Sequence, residues 1–275
     1  MKQRIITALI LTPIAIAFIL LSSTPVFAGV LGLVWAATMW EWTRLIGLQN
    51  AGLRVLSVVV MAALLIGLWL VRGQTIWWLC IAVGALWWLL ALRWMRSFSF
   101  AASPTSRNRL IKMVAGMFVL VPAWTALVAI HGLPTQGSAW TLYALFLVWS
   151  ADSFAYMAGS RFGRNKLAPR ISPGKTWEGV YGALAGSSLI AFIGAWWLGQ
   201  RDVNLILLIG LGLLCVVWSI MGDLFESLMK RQANVKDSGT LFPGHGGLLD
   251  RLDGVVAAMP MFAIGKFLID LYFPT

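Results

Sequence analysis

Residues 203–222, VNLILLIGLGLLCVVWSIMG, run without a charge into residues 223–253, DLFESLMKRQANVKDSGTLFPGHGGLLDRLD. The first stretch is long and apolar enough to cross a bilayer as a helix. The second is dense in charge. The chain has ten acidic residues among 275, and five of them, Asp223, Glu226, Asp237, Asp250 and Asp253, fall here. Lys230, Arg231, Lys236, His245 and Arg251 lie among them, around a Pro243-Gly-His-Gly-Gly247 turn. Charge gathered at the end of a membrane helix is costly to keep, which marks this stretch as functional.

Working outward, apolar runs and charged loops cover the whole chain. It is 60% hydrophobic and 11% charged, whereas soluble domains carry about a quarter charged residues. Apolar runs at about 5–21, 26–46, 53–71, 75–92, 110–130, 139–158, 177–199, 203–222 and 252–272 predict an all-α polytopic membrane protein. That makes nine transmembrane helices in a single domain, residues 1–275. Residues up to about 130 are expected to be mainly scaffold, and residues 139–272 to carry the site. The first run follows Lys2 and Arg4 and shares features with a secretory leader, for which Thr24 to Ala28 would pass as a cleavage site. The further spans favour a retained helix.

Lysine and arginine mark the cytoplasmic side of a membrane protein. With the N-terminus inside, eighteen basic residues fall in cytoplasmic segments, from Lys2 and Arg4 to Lys236 and Arg251, and only Arg72 and Arg201 fall outside. This asymmetry predicts a cytoplasmic N-terminus and a C-terminus on the opposite side. It also accounts for the net charge of +11 without a nucleic-acid partner. The outer loops, 22–25 and 131–138, are too short to bind or process anything. Function is expected in the cytoplasmic loops 159–176 and 231–249, with loop 93–109 a simple connector. Cys80 and Cys215 sit in apolar runs as inert thiols. Trp35, Trp40, Trp42, Trp77, Trp78, Trp87, Trp88, Trp94, Trp196 and Trp197 are expected at the membrane interface or facing lipid.

On a helix running from Gly222, residues Asp223, Ser227 and Lys230 fall at i, i+4 and i+7 on one face. A carboxylate, a hydroxyl and an ammonium in line suit a site that holds a metal ion and a phosphate together. Across the loop, Asp250 and Asp253 are i, i+3 neighbours at the start of the last span, where acidic residues also complement the helix dipole. Both loop edges lie at one membrane face, so these carboxylates can converge on one cation. Oxygen ligands without a cysteine or a histidine pair favour magnesium, with a second cation also admissible.

Lys236, Asp237 and the glycines around His245 form a loop whose N–H groups suit phosphate oxygens. His245 is either a general acid or base, or a residue that hydrogen-bonds the loop into shape. In the other loop, Ser172-Pro-Gly-Lys175-Thr176 sets a lysine and two hydroxyls at a helix N-terminus, an anion site without the P-loop spacing. Asp152 and Glu178 either pair with the basic loop or support the metal.

The stretch Ser227-Leu-Met-Lys230-Arg231, four residues, Lys236-Asp237, then Pro243-Gly-His-Gly-Gly-Leu-Leu-Asp250-Arg251-Leu-Asp253 resembles the signature of the phosphatidate cytidylyltransferases. Ser172-Pro-Gly-Lys-Thr-Trp-Glu-Gly179 resembles that family's second motif, and Asp152-x-x-Ala-Tyr-x-x-Gly159 is similar as well. The likeness spans roughly residues 149–253, and the N-terminal half matches only as generic membrane helices. It implies that CTP and phosphatidic acid, with magnesium, give CDP-diacylglycerol and pyrophosphate, and that Asp223 and Asp250 hold the metal centre. It also implies a bacterial cytoplasmic (inner) membrane, a site facing the cytoplasm, and a chain compatible with a homodimer.

A lipid phosphate is already a nucleophile, so catalysis is expected to be positioning and charge neutralisation, without an activated serine. The expected catalytic residues are Asp223, Asp250, Lys230 and Lys175. The expected substrate contacts are Ser172, Lys175, Thr176, Ser227, Lys230, Arg231, Lys236, Asp237, His245 and Arg251. The expected metal ligands are Asp223 and Asp250, with Asp253 a further candidate. A CTP-dependent polyprenol or phytol kinase, attacking the γ-phosphate, is the rival enzyme. A membrane transporter is the rival of a different class, with polar residues expected near mid-membrane in two related halves.

Overall fold

The structure, a computed structural model, describes residues 2–239 and 246–274, with side chains from Thr12 onward. Among the described residues the apolar runs become nine helices: α1 (Lys2–Leu21), α2 (Thr24–Leu45), α3 (Ala51–Leu70), α4 (Thr75–Arg96), α5 (Ser106–His131), α6 (Gly137–Phe162), α7 (Trp177–Trp197), α8 (Asp202–Gln232) and α9 (Leu249–Tyr272). Helix accounts for 79% of the chain. Seven of them, α2 to α5 and α7 to α9, are long and apolar enough to cross a membrane. In α1 the described apolar stretch is Thr12–Leu21, and in the continuous helix α6 the polar residues Asp152 and Ser153 break the apolar run. The chain is an integral membrane protein.

The helices outrun the apolar segments where polar residues extend them. α8 continues to Gln232 and α6 to Phe162, so both carry charge well past their greasy portions. One departure from an all-α chain appears in loop 163–176, where β1 (Lys166–Ala168) pairs antiparallel with β2 (Ser172–Thr176). Pro169 follows Ala168, and the Ile171 N–H closes the turn onto the Ala168 carbonyl at 3.1 Å. Proline at the second position of a four-residue turn sets the backbone angle this needs. At the hairpin base the Trp177 N–H donates to the Asn165 carbonyl at 2.9 Å.

α5 lies at the centre, most of its apolar length buried, while α3 is almost wholly on the outer surface. Leucine, valine and isoleucine cover that outer surface, as a bilayer-facing protein requires. The tryptophans correct the expectation made for them. Trp35, Trp42, Trp77, Trp88 and Trp94 are buried, whereas Trp40, Trp196 and Trp197 are exposed. Trp42, Trp87, Trp88 and Trp94 surround Phe225 of α8, with ring centroids 5.6–6.4 Å away. Three of the four meet it edge-on, the arrangement that ring quadrupoles favour. Phe225 is two residues beyond Asp223, so this packing fixes how α8 is turned and therefore where Asp223 points.

Candidate active site

Asp223 lies nine residues before the end of α8 and Asp152 ten before the end of α6, each about 14–15 Å down its helix at a rise of about 1.5 Å per residue. Asp253 stands in the first turns of α9. α8 and α9 cross closely at this level, because a Cβ on Gly222 would collide with the Asp253 carbonyl oxygen. Asp152, Asp223 and Asp253 lie near enough to repel one another, and the Lys175 ammonium faces all three. Lys175 is ion-paired with Asp223, and these side chains remain 24% and 29% exposed. The Ser227 hydroxyl donates to Asp223 Oδ1 at 3.4 Å. Three carboxylates thus share the single ammonium of Lys175, and of this group Asp223 and Lys175 keep part of their side chains open to solvent.

The hairpin delivers Lys175. Alternate strand residues point to opposite faces, so Thr176 turns inward and Lys175 turns towards α8. Buried Thr176 is the N-cap of α7, its Oγ1 accepting from the Gly179 N–H at 3.2 Å. Glu178 holds the strand that leads into β1. Its carboxylate accepts from the Arg164 N–H at 3.1 Å, the Asn165 N–H at 3.2 Å and the Asn165 amide at 2.7 Å. From α8, Arg231 Nε donates to the Ile171 carbonyl at 3.2 Å, tying the hairpin turn to the helix.

A second group of carboxylates surrounds the start of α9. Lys230 sits between Glu226, at 2.5 Å, and Asp250 Oδ1, at 2.7 Å. Asp250 Oδ2 accepts from the Ser238 N–H and hydroxyl, each at 2.9 Å, and from the Gly247 N–H at 2.7 Å. α9 begins at Gly247-Leu248-Leu249 without a local side-chain cap. Glu41 of α2 supplies one, accepting from the Leu248 N–H at 3.0 Å and the Leu249 N–H at 2.9 Å. A carboxylate there also complements the positive end of the helix dipole. The Ser238 hydroxyl lies 3.1 Å from Glu41, joining the two acids. A Cβ on Gly239 or on Gly247 would strike the Glu41 carboxylate, so these glycines make its seat.

Of the expected site residues, the structure therefore unites Asp223, Lys175 and Ser227, with Asp253 and Asp152 beside them. It sets Asp250 and Lys230 in the neighbouring group, where Asp250 is engaged at both oxygens. Ser172 pairs with Ala168 in the hairpin. Lys236, Asp237 and Arg251 are exposed on the surface above. His245 lies outside the described residues. Sequence reasoning counted Glu226 only within the acidic stretch and gave no role to Glu41, Glu226 or Ser238. Glu41 did carry a signal, as a lone carboxylate in an apolar helix, but its partners stand 197 to 208 residues away.

Among the described residues, no three His, Cys, Asp or Glu side chains form a ready metal-binding group. Magnesium needs none, since it takes one or two carboxylates and completes its shell with water and substrate phosphate. Asp152, Asp223 and Asp253, with the Lys175 ammonium beside them, are the residues that could hold such an ion.

The model of the Cytidylyltransferase family matches residues 2–268. A phosphatidate cytidylyltransferase of Pseudomonas aeruginosa is 41% identical over 263 residues, which cover 96% of each chain. One of Haemophilus influenzae is 34% identical over 291 aligned positions, covering 98% of this chain and 99% of the relative. One of Bacillus subtilis is 39% identical over 145 residues, about half of each chain (53% and 52%). Matched from its second residue almost to its end, the chain belongs to the cytidylyltransferase family.

Proposed function

We propose that the chain makes CDP-diacylglycerol and pyrophosphate from CTP and phosphatidic acid. The observation that carries this reading is the Lys175–Asp223 ion pair, which joins the two motif blocks into one charged cleft. A phosphate oxygen of phosphatidic acid attacks the α-phosphorus of CTP. The bond from that phosphorus to the oxygen bridging to the β-phosphate breaks, and the electron pair leaves on pyrophosphate. No proton has to be removed from an ionised phosphate, which agrees with a cleft built of carboxylates and lysines. Lys175 shifts from Asp223 onto phosphate oxygens and neutralises the charge that builds on the leaving group. Lys230, held by Glu226 and Asp250, presents a second ammonium at a fixed position. Fixed charge of this kind acts most strongly where water is scarce.

Magnesium would be held by Asp223 with Asp253 or Asp250, and when bound would supply positive charge to offset that of the reacting phosphates. Of those acids, Asp253 is the one beside Asp223. The cleft opens at the cytoplasmic face of a bacterial inner membrane, with nine spans, the N-terminus inside and the C-terminus outside. That topology follows the lysine and arginine asymmetry, and it puts a water-soluble nucleotide and a bilayer lipid at one mouth.

The test is purified protein with radiolabelled CTP, phosphatidic acid and magnesium, followed by identification of both products. A CDP-lipid with pyrophosphate is expected. Release of CDP with a phosphorylated lipid alcohol would establish the kinase instead.

A further inference from the structure

A cavity of about 390 Å³, lined by none of the acids of the candidate site, lies beside residues 232–238. It is walled by the end of α2, the connector before α5, the first turns of α5 and the chain after α8. Arg44, Arg109 and Lys112 line it, with Asn108, Asp237 and Ser238. Lys112 is only 5% exposed, and among the described residues it has no ion-pair partner. Among the described residues the buried Arg109 Nε has no hydrogen-bond partner. A largely buried lysine without an ion pair and a buried guanidinium nitrogen are expensive to leave uncompensated. Asn108 and Arg109 also stand in the first turn of α5, where the helix dipole favours an anion. Three cations face the single carboxylate of Asp237, and the guanidinium fork with an ammonium matches the oxygens of a phosphate.

The structure assigns to this cavity a second anion site that takes a phosphate group, carried either by a lipid headgroup or by a soluble phosphate compound. Its volume falls in the range of about 300–1,000 Å³ of small-molecule sites. The residues of the acidic cleft do not line it, so it stands independently of the reaction proposed there.

The full-length protein is placed in phosphatidylcholine nanodiscs and titrated with inorganic phosphate, or placed in nanodiscs containing phosphatidylglycerol. Acylation of Lys112 is then read by mass spectrometry, together with hydrogen exchange over residues 105–109 and 233–238. Saturable protection in the phosphate arm identifies a soluble ligand, and protection in the phosphatidylglycerol arm identifies a headgroup. Arg109→Ala is expected to weaken that protection about tenfold, the size of one lost charged hydrogen bond. Acylation of Lys175 reports on the acidic cleft in the same sample and separates the two sites. Unchanged acylation and exchange in both arms would overturn the assignment, as would protection that Arg109→Ala leaves intact.

Discussion

Two groups of carboxylates meet around the start of α9, and they are built in opposite ways. Asp152, Asp223 and Asp253 share Lys175, and Asp223 and Lys175 remain partly exposed. Glu41 and Asp250 are wrapped by backbone N–H groups, the Ser238 hydroxyl and Lys230. Both groups carry like charge at the same end of the bundle. They differ in how fully that charge is met by fixed donors. A carboxylate whose lone pairs are already occupied orders a loop and caps a helix. One that repels its neighbours and is paired with a single movable lysine can exchange that lysine for a cation and a phosphate.

The largest separation of the two groups is expected from Asp223→Asn. It keeps the size of the side chain and its hydrogen bond from Ser227 while removing charge from the open cleft. Turnover should fall about 10²–10³-fold, in line with the loss of one transition-state charge contact, with the thermal midpoint preserved. Activity within a few-fold of the parent would show that the cleft is not where the chemistry occurs. Lys175→Ala comes next. A charged hydrogen bond to a phosphate is worth about 1.5–3 kcal/mol, so kcat/KM should drop about 10- to 100-fold. An unchanged KM for both CTP and lipid, with unchanged kcat, would remove Lys175 from the phosphate pocket.

Glu41→Ala probes the other group and should strike stability harder than chemistry. It strips the Leu248 and Leu249 N–H groups of their acceptor, each a loss of about 1–3 kcal/mol for a buried donor. A lower thermal midpoint and faster hydrogen exchange across 246–250 are expected, with turnover reduced less than by Lys175→Ala. Lost activity without any change in midpoint or exchange would make Glu41 a catalytic group and erase the contrast.

The nine helices were legible because their apolar runs are long and end in charge, and Asp223 and Ser227 do share a face as their spacing required. The hairpin was not legible, since strands of three and five residues are too short to show a period, and one of them contains Pro-Gly. Trp42, Trp88 and Trp94 were misplaced because lipid and protein interior are equally apolar. Composition therefore cannot tell an anchor from a core residue packed on Phe225. Asp223 and Asp250 seemed equivalent as the two acids flanking one loop. Only the contacts of Ser238 and Gly247 reveal that Asp250 is already engaged. Glu41 lies outside both motif blocks, and the loop that receives it is remote in sequence, so its role emerges only once α2 is packed against α9.

The smallest effect is expected from Glu178→Gln, and it sharpens the contrast from the side of the hairpin. Glu178 belongs to the same short motif as Lys175, yet its carboxylate is spent on the N–H groups of Arg164 and Asn165. Glutamine keeps one oxygen, at the place of Oε2, for the Arg164 and Asn165 N–H groups, and removes the charge together with the acceptor of the Asn165 amide. If Glu178 acts by holding the strand before β1, the hairpin stays in place and Lys175 still reaches Asp223. Turnover should then remain within about twofold of the parent, as for an ordinary surface exchange. A loss approaching that of Asp223→Asn would mean that the charge itself acts on substrate or metal, and would move Glu178 into the open cleft. Near-full activity for Glu178→Gln beside inactive Asp223→Asn would establish that position in the cleft, and not membership of the motif, selects the carboxylates that do chemistry.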